Sequence, residues 1–457
     1  HSKGSYLLMQ NSVLLEGVVC DVGRKKITVK TERGIVFVKH EHACFCLKGD
    51  VVQLAIKKKK DSFCIGEVLS VIKRRKSVFI GILDCSSAYC FFIPENPSVY
   101  FDVFIPKKLS SDIHLNKKLL VEITDWDMKQ KNPVGKITSV LGDVSDHDVE
   151  METLLHIGGF SANFDKTIIE QAESLSAVFT EDIIKDRLDF RSFPTFTIDP
   201  EDAKDFDDAL SVRPLKKGGW EIGVHIADVS FYVEENSLID KEAFLRSTSV
   251  YLVDRVVPML PEFLSNNLCS LKPNEDRLVF SVIFEIDERA NILSSSIKKC
   301  IINSDKRFTY QSAQKIINDG YGLFSAELKI LTQLSVLLKE KRQALGSIDF
   351  NRSETKFVLD KDKNPVDVLF KTPLQTNQLI EEFMLLANKT VAEFVNLNGS
   401  VKPFIYRVHD APDKDKILHL ERFVKSLGYT IDNSNTKNLS LSLNTLLHSV
   451  QGKKEQK

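Results

Sequence analysis

The chain has 457 residues, of which 43% are hydrophobic and 27% are charged. This length exceeds one ordinary hydrophobic core and indicates about three domains of a globular protein. The sequence lacks both an apolar run near the ~20 residues of a membrane-spanning helix and a secretory leader, so we expect a cytoplasmic protein whose eight cysteines are reduced.

The N-terminal part of the chain is basic. Its first 76 residues carry sixteen Lys and Arg against seven Asp and Glu, whereas the net charge of the whole chain is −1. Runs of Lys and Arg at 57–60 and 73–76 suit a polyanion, because neutralising phosphates releases counterions. A solvated, lysine-rich surface is an equally good interpretation of such runs.

Two stretches read as small β-barrels. Residues 12–73 contain five short segments with strand-like alternation, separated by turn residues. Five strands in so short a span predict a closed, oligonucleotide-binding barrel of the cold-shock-like kind. The layout repeats over 77–142 and predicts a second barrel.

Aromatic residues in the second barrel have two interpretations. They are candidates for a stacking surface for bases, but aromatics in small barrels more often fill the core. Strand alternation places Phe91 and Phe92 on opposite faces, so one of the two should be core. The other members of the group are Tyr89, Tyr100, Phe101 and Phe104.

A histidine and cysteine segment follows the third predicted strand. His40, His42, Cys44 and Cys46 alternate as if they shared one face of a strand. Four ligands along one strand cannot surround a tetrahedral zinc ion without a sharp bend. We therefore favour half-buried strand residues over a zinc site.

The remainder of the chain is mixed. Amphipathic segments over 148–187 predict a helical connector, and irregularly alternating strands and helices over 188–457 predict an α+β domain. Long amphipathic helices are expected over 372–397 and 413–428. His225 is expected to be a hydrogen-bonded strand histidine rather than a ligand.

Four aspartates dominate the chemistry of the sequence. Asp199, Asp205, Asp207 and Asp208 lie within ten residues, on a turn between two strand-like segments. Carboxylates this close repel one another unless a cation neutralises them, and Mg²⁺ commonly bridges carboxylates to substrate phosphate. The alternatives are a solvated acidic loop or a structural calcium turn. EF-hand spacing fails, because Lys204 stands where that loop needs glycine.

Several motifs occur in the order typical of one family. TIDPEDAKDFDDALSV, GVHIADVSFYV, MLPEFLSNNLCSL, SIDF, LIEEFMLLAN and YRVHDAP resemble the ribonuclease II/ribonuclease R family, and most closely its ribonuclease R branch. The resemblance covers nearly the whole chain. It implies two cold-shock-like barrels before a ribonuclease II-type catalytic domain. It also implies a processive, magnesium-dependent exoribonuclease, with Mn²⁺ as a substitute, that degrades single-stranded RNA from the 3′ end to nucleoside 5′-monophosphates. We expect a monomer.

The resemblance also assigns roles to the four aspartates. Asp199 and Asp208 become direct magnesium ligands, and Asp205 a ligand either directly or through water. Asp207 is assigned to the chemical step, where it orients the attacking water or a second metal. The residues alone support only the cluster.

Further residues are implied to contact RNA. Tyr251 and Phe350 would stack on the terminal nucleotides, although without the resemblance each would be read as a core aromatic. Glu381 and Glu382 would contact the ribose or support the site, and only one can point inward because neighbours on a helix lie about 100° apart. Arg407 is a candidate phosphate contact.

The end of the chain departs from the family pattern. The family continues into a block whose arginine contacts the scissile phosphate and then into a further barrel, but this sequence stops at LLHSVQGKKEQK. We therefore expect a catalytic domain that is incomplete at its C-terminus, with weak or absent turnover by this chain. The competing hypothesis is a non-catalytic RNA-binding protein with a degenerate nuclease domain, against which the intact aspartates argue.

Overall fold

The computed structural model describes residues 14–59, 64–86, 89–109, 115–127, 130–349, 354–397, 404–408 and 410–453. It divides into two compact units, His1–Asn163 and Phe164–Lys457. The division falls inside the segment predicted as a helical connector. In the described part of the chain, no helix is long and apolar enough to cross a membrane.

The first barrel is closed by five strands in the order β1-β2-β3-β5-β4. Its strands are β1 Leu14–Val22, β2 Ile27–Thr31, β3 Gly34–Val38, β4 Val51–Lys59 and β5 Cys64–Lys73. Alternate side chains such as Ile27, Val29 and Leu54 fill the interior, as the period of two requires. The predicted barrel is confirmed.

The histidine and cysteine segment after β3 is not a strand, which corrects our prediction. His40–His42 form a short 3₁₀ turn, and Cys44 and Phe45 both have φ of 53°, in the left-handed region. Two of these side chains have hydrogen-bond partners in the same barrel. His40 Nε2 lies 2.9 Å from the Gly23 carbonyl oxygen, and the Cys44 thiol donates to the Val68 carbonyl at 2.8 Å. Burial raises the pKa of Cys46 to about 12, so this thiol stays neutral.

The second barrel is also closed, in the order β10-β8-β7-β6-β9. Its strands are β6 Val78–Cys85, β7 Cys90–Pro94, β8 Val103–Ile105, β9 Lys117–Asp125 and β10 Val134–Asp143. Phe92 is fully buried in its core, whereas Phe91 lies half-buried on the opposite face, as alternation predicted. Helix α1, His147–Gly158, follows and is capped by the Asp146 side chain.

One pair of cysteines is oxidised, contrary to the expectation of reduced thiols. Cys85 and Cys90 face each other in the register of β6 and β7, and they form a disulfide. The hairpin brings their Cα atoms to 4.1 Å, so strand pairing makes the bond possible. The six other cysteines are free.

The second unit is built on a seven-stranded sheet in the order β11-β18-β17-β14-β13-β12-β19. Its strands are β11 Leu188–Asp189, β12 Thr195–Asp199, β13 Asp208–Pro214, β14 Trp220–Ala227, β17 Asp276–Ile286, β18 Ile292–Asn303 and β19 Lys306–Thr309. Two separate hairpins pair β15 Val250–Tyr251 with β16 Val256–Val257, and β20 Glu354–Leu359 with β21 Pro365–Lys371. The helices are α2 Lys166–Glu173, α3 Glu181–Lys185, α4 Val229–Tyr232, α5 Leu238–Arg246, α6 Tyr310–Asp319, α7 Ser325–Ala344, α8 Gln375–Leu397, α9 Lys414–Ser426 and α10 Thr436–Val450. The predicted fold class, two barrels and an α+β domain, is confirmed.

Each face of this sheet has its own core. Helices α6, α7 and α8 cover one face, and the core there includes Leu331 and Phe383 of the helices and Phe284 of the sheet. The other face packs against α2, α5 and a π-helical turn at Leu264–Leu268.

His225 is buried within the sheet and satisfied there, as predicted. Its ring nitrogens lie 2.8 Å from the Ser211 hydroxyl and 2.7 Å from the Ser281 hydroxyl, on the two neighbouring strands. Burial lowers the pKa of His225 to about 3, so the ring is neutral.

Candidate metal and RNA site

The sheet places two of the four aspartates at the adjoining ends of neighbouring strands. Asp199 is the last residue of β12 and Asp208 the first of β13, and these strands are antiparallel neighbours. The intervening loop, 200–207, carries Asp205 and Asp207. An antiparallel pair that ends in carboxylates therefore places the acids together, because the end of one strand meets the start of the next.

The pKa values of these carboxyl groups show that the four aspartates interact. The pKa of Asp199 is raised to about 6, mainly by burial and also by the charges of Asp207 and Asp205, against a hydrogen bond from Thr197 and the charge of Arg307. The pKa of Asp208 is raised to about 7, first by burial and then by the charges of Asp207 and Asp199. Burial and then Asp205 raise the pKa of Asp207. The charge of each acid therefore acts on at least one other acid in the cluster, and this arrangement favours binding of a cation.

A buried oxygen in the cluster has no protein donor. Asp208 Oδ2 is buried and has no hydrogen-bond partner among the described residues. A buried acceptor without a partner costs free energy, and a hard cation would compensate it. The donor set consists entirely of carboxylate oxygens, which Mg²⁺ and Mn²⁺ prefer. The residues therefore fit a divalent metal.

The carboxylate side chains are not arranged as metal ligands in this structure. Among the residues that the structure describes, no group of three His, Cys, Asp or Glu side chains is arranged to hold a metal ion. Like charges repel one another, so convergence requires rotation of these side chains toward a shared cation.

The acidic loop is held by residues that sequence reasoning missed. Phe206 N donates to the Ser270 hydroxyl at 3.1 Å, and Leu271 N donates to the Phe206 carbonyl at 2.7 Å. Arg307 donates to the carbonyls of Pro200 and Glu201. These contacts join residues that lie more than sixty positions apart in the sequence. Only the contacts of Ser270 and Leu271 involve a motif named in the sequence analysis, MLPEFLSNNLCSL.

Two tyrosines lie close to the acids. Tyr251 is 69% exposed on β15, and burial and then the charges of Asp205 and Asp207 raise its pKa. Tyr310 begins α6, and its pKa is raised to about 12, first by burial and then by Asp208 and the other acids. Tyr251 was predicted to be near the site, whereas Tyr310 was missed.

The two glutamates of α8 point in different directions. Glu382 is only 3% exposed and forms a two-point ion pair with Arg342, at 2.5 Å and 3.1 Å. Arg342 also donates to the Ser347 hydroxyl at 2.6 Å, so the pair secures the segment that follows α7. Glu382 is therefore the inward member of the pair, and its role as a ribose contact or as a support for the site stays a prediction. Glu381 is exposed, as expected for the outward member of the pair.

The two remaining predicted RNA contacts are Arg407 and Phe350. Arg407 is exposed in the irregular segment 404–408. The arginine whose charge lowers the pKa of Asp199 is Arg307. Phe350 lies outside the described residues.

Comparison with known proteins gives consistent matches. The RNB domain family matches residues 187–457, and a cold shock domain family matches 91–165. Ribonuclease R of Thermotoga maritima is 36% identical over 371 residues, which cover 79% of this chain and 52% of that protein. Ribonuclease R 1 of Lactococcus lactis is 34% identical over 427 residues, 89% of this chain and 52% of that protein. The chain thus spans about half the length of the curated relatives that it matches.

A solved structure matches over nearly the whole chain. Mycoplasma genitalium RNase R in complex with ribose-methylated single-stranded RNA superposes with a TM-score of 0.88 and 27% identity. The match covers 97% of this chain and 71% of that one.

Proposed function

The chain belongs to the RNB-domain family, and we propose that it acts as a magnesium-dependent, processive 3′-to-5′ exoribonuclease on single-stranded RNA. The observation that carries the proposal is the cluster of four interacting aspartates at adjoining strand ends of the RNB-matched sheet, in which Asp199 is buried and Asp208 is half-buried. The similarity to ribonuclease R proteins supports it, as does the fold shared with an RNase R bound to single-stranded RNA.

The residues that would hold the cation are Asp199, Asp208 and Asp205. Bound there, Mg²⁺ supplies positive charge where negative charge develops on the scissile phosphate. Asp208 contributes an oxygen that has no hydrogen-bond donor among the described residues, and Asp199 accepts a hydrogen bond from the Thr197 hydroxyl at 2.6 Å. Both sit on strand ends, so the sheet fixes their backbones.

Asp207 is the carboxylate we assign to the chemical step. Its backbone is fixed because Ala227 N donates to its carbonyl at 3.0 Å. The side chain orients a water for attack on phosphorus, takes up one proton of that water and later releases it to solvent. The new bond joins the water oxygen to phosphorus while the bond from phosphorus to the 3′-oxygen breaks. The 3′-oxygen takes up a proton from solvent, and a nucleoside 5′-monophosphate leaves.

Tyr251 is suited to hold the terminal base. Its ring is exposed beside Asp205 and Asp207, and an aromatic face accepts any base, which permits stepping without sequence preference. We expect Tyr251→Ala to weaken binding of single-stranded RNA by about 1–3 kcal/mol. Fluorescence anisotropy with a labelled RNA in the presence of chelator measures this without cleavage. Tyr251→Phe keeps the ring and should bind normally; an equal loss in both variants would contradict stacking.

The second barrel offers a further surface for RNA. Tyr89, Phe91 and Phe104 form a row of edge-to-face contacts, with ring centroids 5.5 Å and 5.9 Å apart. Tyr89 and Phe91 lie two positions apart on the β6–β7 hairpin, and Tyr89 is exposed. We assign this row to stacking, whereas Phe92 belongs to the core.

The proposal is tested with an RNA labelled at its 5′ end, incubated with excess protein so that slow turnover is detected. With Mg²⁺ we expect labelled products that shorten one nucleotide at a time from the 3′ end, together with nucleoside 5′-monophosphates. Chelation of the metal should stop the reaction. Internal fragments, or shortening that persists in chelator, would rule out the proposal. Retention of RNA without shortening would favour the non-catalytic RNA-binding alternative.

A further inference from the structure

We infer that Ser270 is a positioning residue, whose hydroxyl fixes the loop of Asp205 and Asp207 in the shape that binds the divalent cation. This inference rests on the proposed function, because it concerns the same acidic cluster. Ser270 is 1% exposed and lies two residues after the π-helical turn Leu264–Leu268. It touches backbone rather than carboxylates.

The hydroxyl of Ser270 bridges the two sides of Asp205. It donates to the Lys204 carbonyl at 2.9 Å and accepts from Phe206 N at 3.1 Å. Lys204 and Phe206 are the immediate neighbours of Asp205, so one buried hydroxyl closes the loop around that acid. A hydroxyl suits this role because it donates and accepts at once.

The next residue completes the attachment. Leu271 N donates to the Phe206 carbonyl at 2.7 Å, so both backbone groups of Phe206 are bound by 270–271. The Phe206 ring packs in the same core as Leu264 and Leu271. Asp207 follows directly, and its carbonyl is held from the other side by Ala227 at the end of β14. The two acids therefore project from a backbone fixed on both sides.

Ser270 is itself rigidly held. Arg277, a buried residue of β17, donates from Nε to the Ser270 carbonyl at 2.9 Å and from Nη2 to the Asn267 carbonyl at 3.2 Å. Its guanidinium also pairs with Glu275 at 2.5 Å. The planar guanidinium fixes several directions at once, so the π-helical turn and Ser270 are tied to the sheet that carries the acids.

Loss of the Ser270 hydroxyl should therefore weaken binding of the metal ion. Without the hydroxyl, the Lys204 carbonyl and the Phe206 N–H lose their part-buried hydrogen bonds, and the loop is no longer held on both sides of Asp205. Carboxylates on a relaxed loop are less well placed to share a cation. Groups that orient metal ligands typically change metal affinity by about 10–100-fold when they are mutated.

The test is a titration of the full 457-residue chain with Mn²⁺, followed by the electron paramagnetic resonance signal of the free ion. We expect Ser270→Ala to weaken Mn²⁺ binding by about 10–100-fold. Ser270→Cys has a similar shape but a poor hydrogen-bonding group, and it should behave in the same way even if the alanine variant does not fold. Ser270→Thr retains the hydroxyl and should restore binding. Hydrogen exchange of peptides covering 200–208 should be faster in the alanine and cysteine variants and slow again in the threonine variant.

A matched control is Ser281→Ala. Ser281 is an equally buried serine whose hydroxyl lies 2.7 Å from His225 Nδ1 and also hydrogen-bonds Cys300, so its loss should lower thermal stability without changing Mn²⁺ affinity. Normal Mn²⁺ affinity and slow exchange in both Ser270→Ala and Ser270→Cys would overturn the inference. Equal weakening in Ser281→Ala would also overturn it, because the effect would then be general destabilisation. Asp208→Asn separates this from the proposed function: if that variant binds Mn²⁺ like the wild type, the acidic cluster is not the metal site and both proposals fail.

Discussion

Replacing Asp207 by asparagine is expected to slow the shortening of RNA by about 10²–10⁴-fold, the contribution typical of a positioned group that handles a proton in the transition state. The amide has nearly the shape of the carboxylate but cannot accept the proton of the attacking water. The fold should tolerate the change, because burial and the neighbouring Asp205 already disfavour the charged form and raise the pKa of Asp207. Single-turnover assays with labelled RNA measure the rate, and thermal unfolding checks the fold.

The matched control for this prediction is Asp202→Asn, in the same loop. Asp202 is exposed and pairs with Lys356 at 3.1 Å, so its charge is engaged on the surface. Exposed pairs contribute about 0–1 kcal/mol, and the rate of this variant should stay near that of the wild type. A wild-type rate for Asp207→Asn would remove Asp207 from the chemical step. Equal slowing of both variants would show that the total negative charge of the loop, rather than Asp207 in particular, determines the rate.

Local patterns in the sequence predicted much of the architecture. The alternation in Leu14–Val22 marks a strand with the bounds that the structure has, and Phe91 and Phe92 fall on opposite faces. The four aspartates were recognisable because Asp199 and Asp208 flank a single loop, so closeness in sequence became closeness in space. The resemblance to the ribonuclease II/ribonuclease R family is confirmed by the RNB match. The roles of the individual site residues and the predicted domain bounds stay predictions.

Features that depend on distant contacts could not be predicted. Ser270 reaches the acidic loop from 66 residues away, and Arg307 from 107 residues away. Their roles are set by the order of strands in the sheet, which no local periodicity encodes. The turn at Cys44 was missed because its left-handed backbone occurs at residues other than glycine. Which glutamate of α8 points inward could not be predicted, because the partner of Glu382, Arg342, lies on another helix.

The basic N-terminal runs illustrate the same limit. Arg74 looked like part of an RNA-binding patch, but its guanidinium pairs with buried Asp50 at 2.9 Å and stacks on Trp126 at 3.7 Å. It also donates to the carbonyls of Cys44 and Phe45, the residues with left-handed backbone. This arginine therefore stabilises the strained turn, and the sequence could not separate it from its exposed neighbour Lys73.

The largest stability effect is expected from a buried ion pair in the second unit. Arg187 Nη2 lies 2.6 Å from Asp228 Oδ2, and the side chains are 5% and 1% exposed. Asp228 also accepts from the Ser230 hydroxyl at 2.8 Å, and Arg187 lies directly before β11, at the edge of the sheet. The pair therefore joins this edge strand to the end of β14.

Asp228→Ala is expected to lower the free energy of unfolding of this unit by about 3–5 kcal/mol, because it leaves a buried guanidinium without its counter-charge. Urea unfolding followed by Trp220 fluorescence in a Trp126→Phe background measures the second unit alone, since these are the only two tryptophans. Loss of the exposed pair between Glu181 and Lys185 through Glu181→Gln is the control and should cost less than about 1 kcal/mol.

The cause of that loss can be separated from simple loss of packing by a double variant. Replacing Arg187 by Met together with Asp228→Leu removes both charges and fills their space, and it should recover most of the stability lost in Asp228→Ala. Recovery would show that the uncompensated charge dominates the single-variant effect. If the double variant is as unstable as the single one, the hydrogen bonds of this pair to Ser230 and to the Cys300 carbonyl, rather than the charge, hold the edge of the sheet.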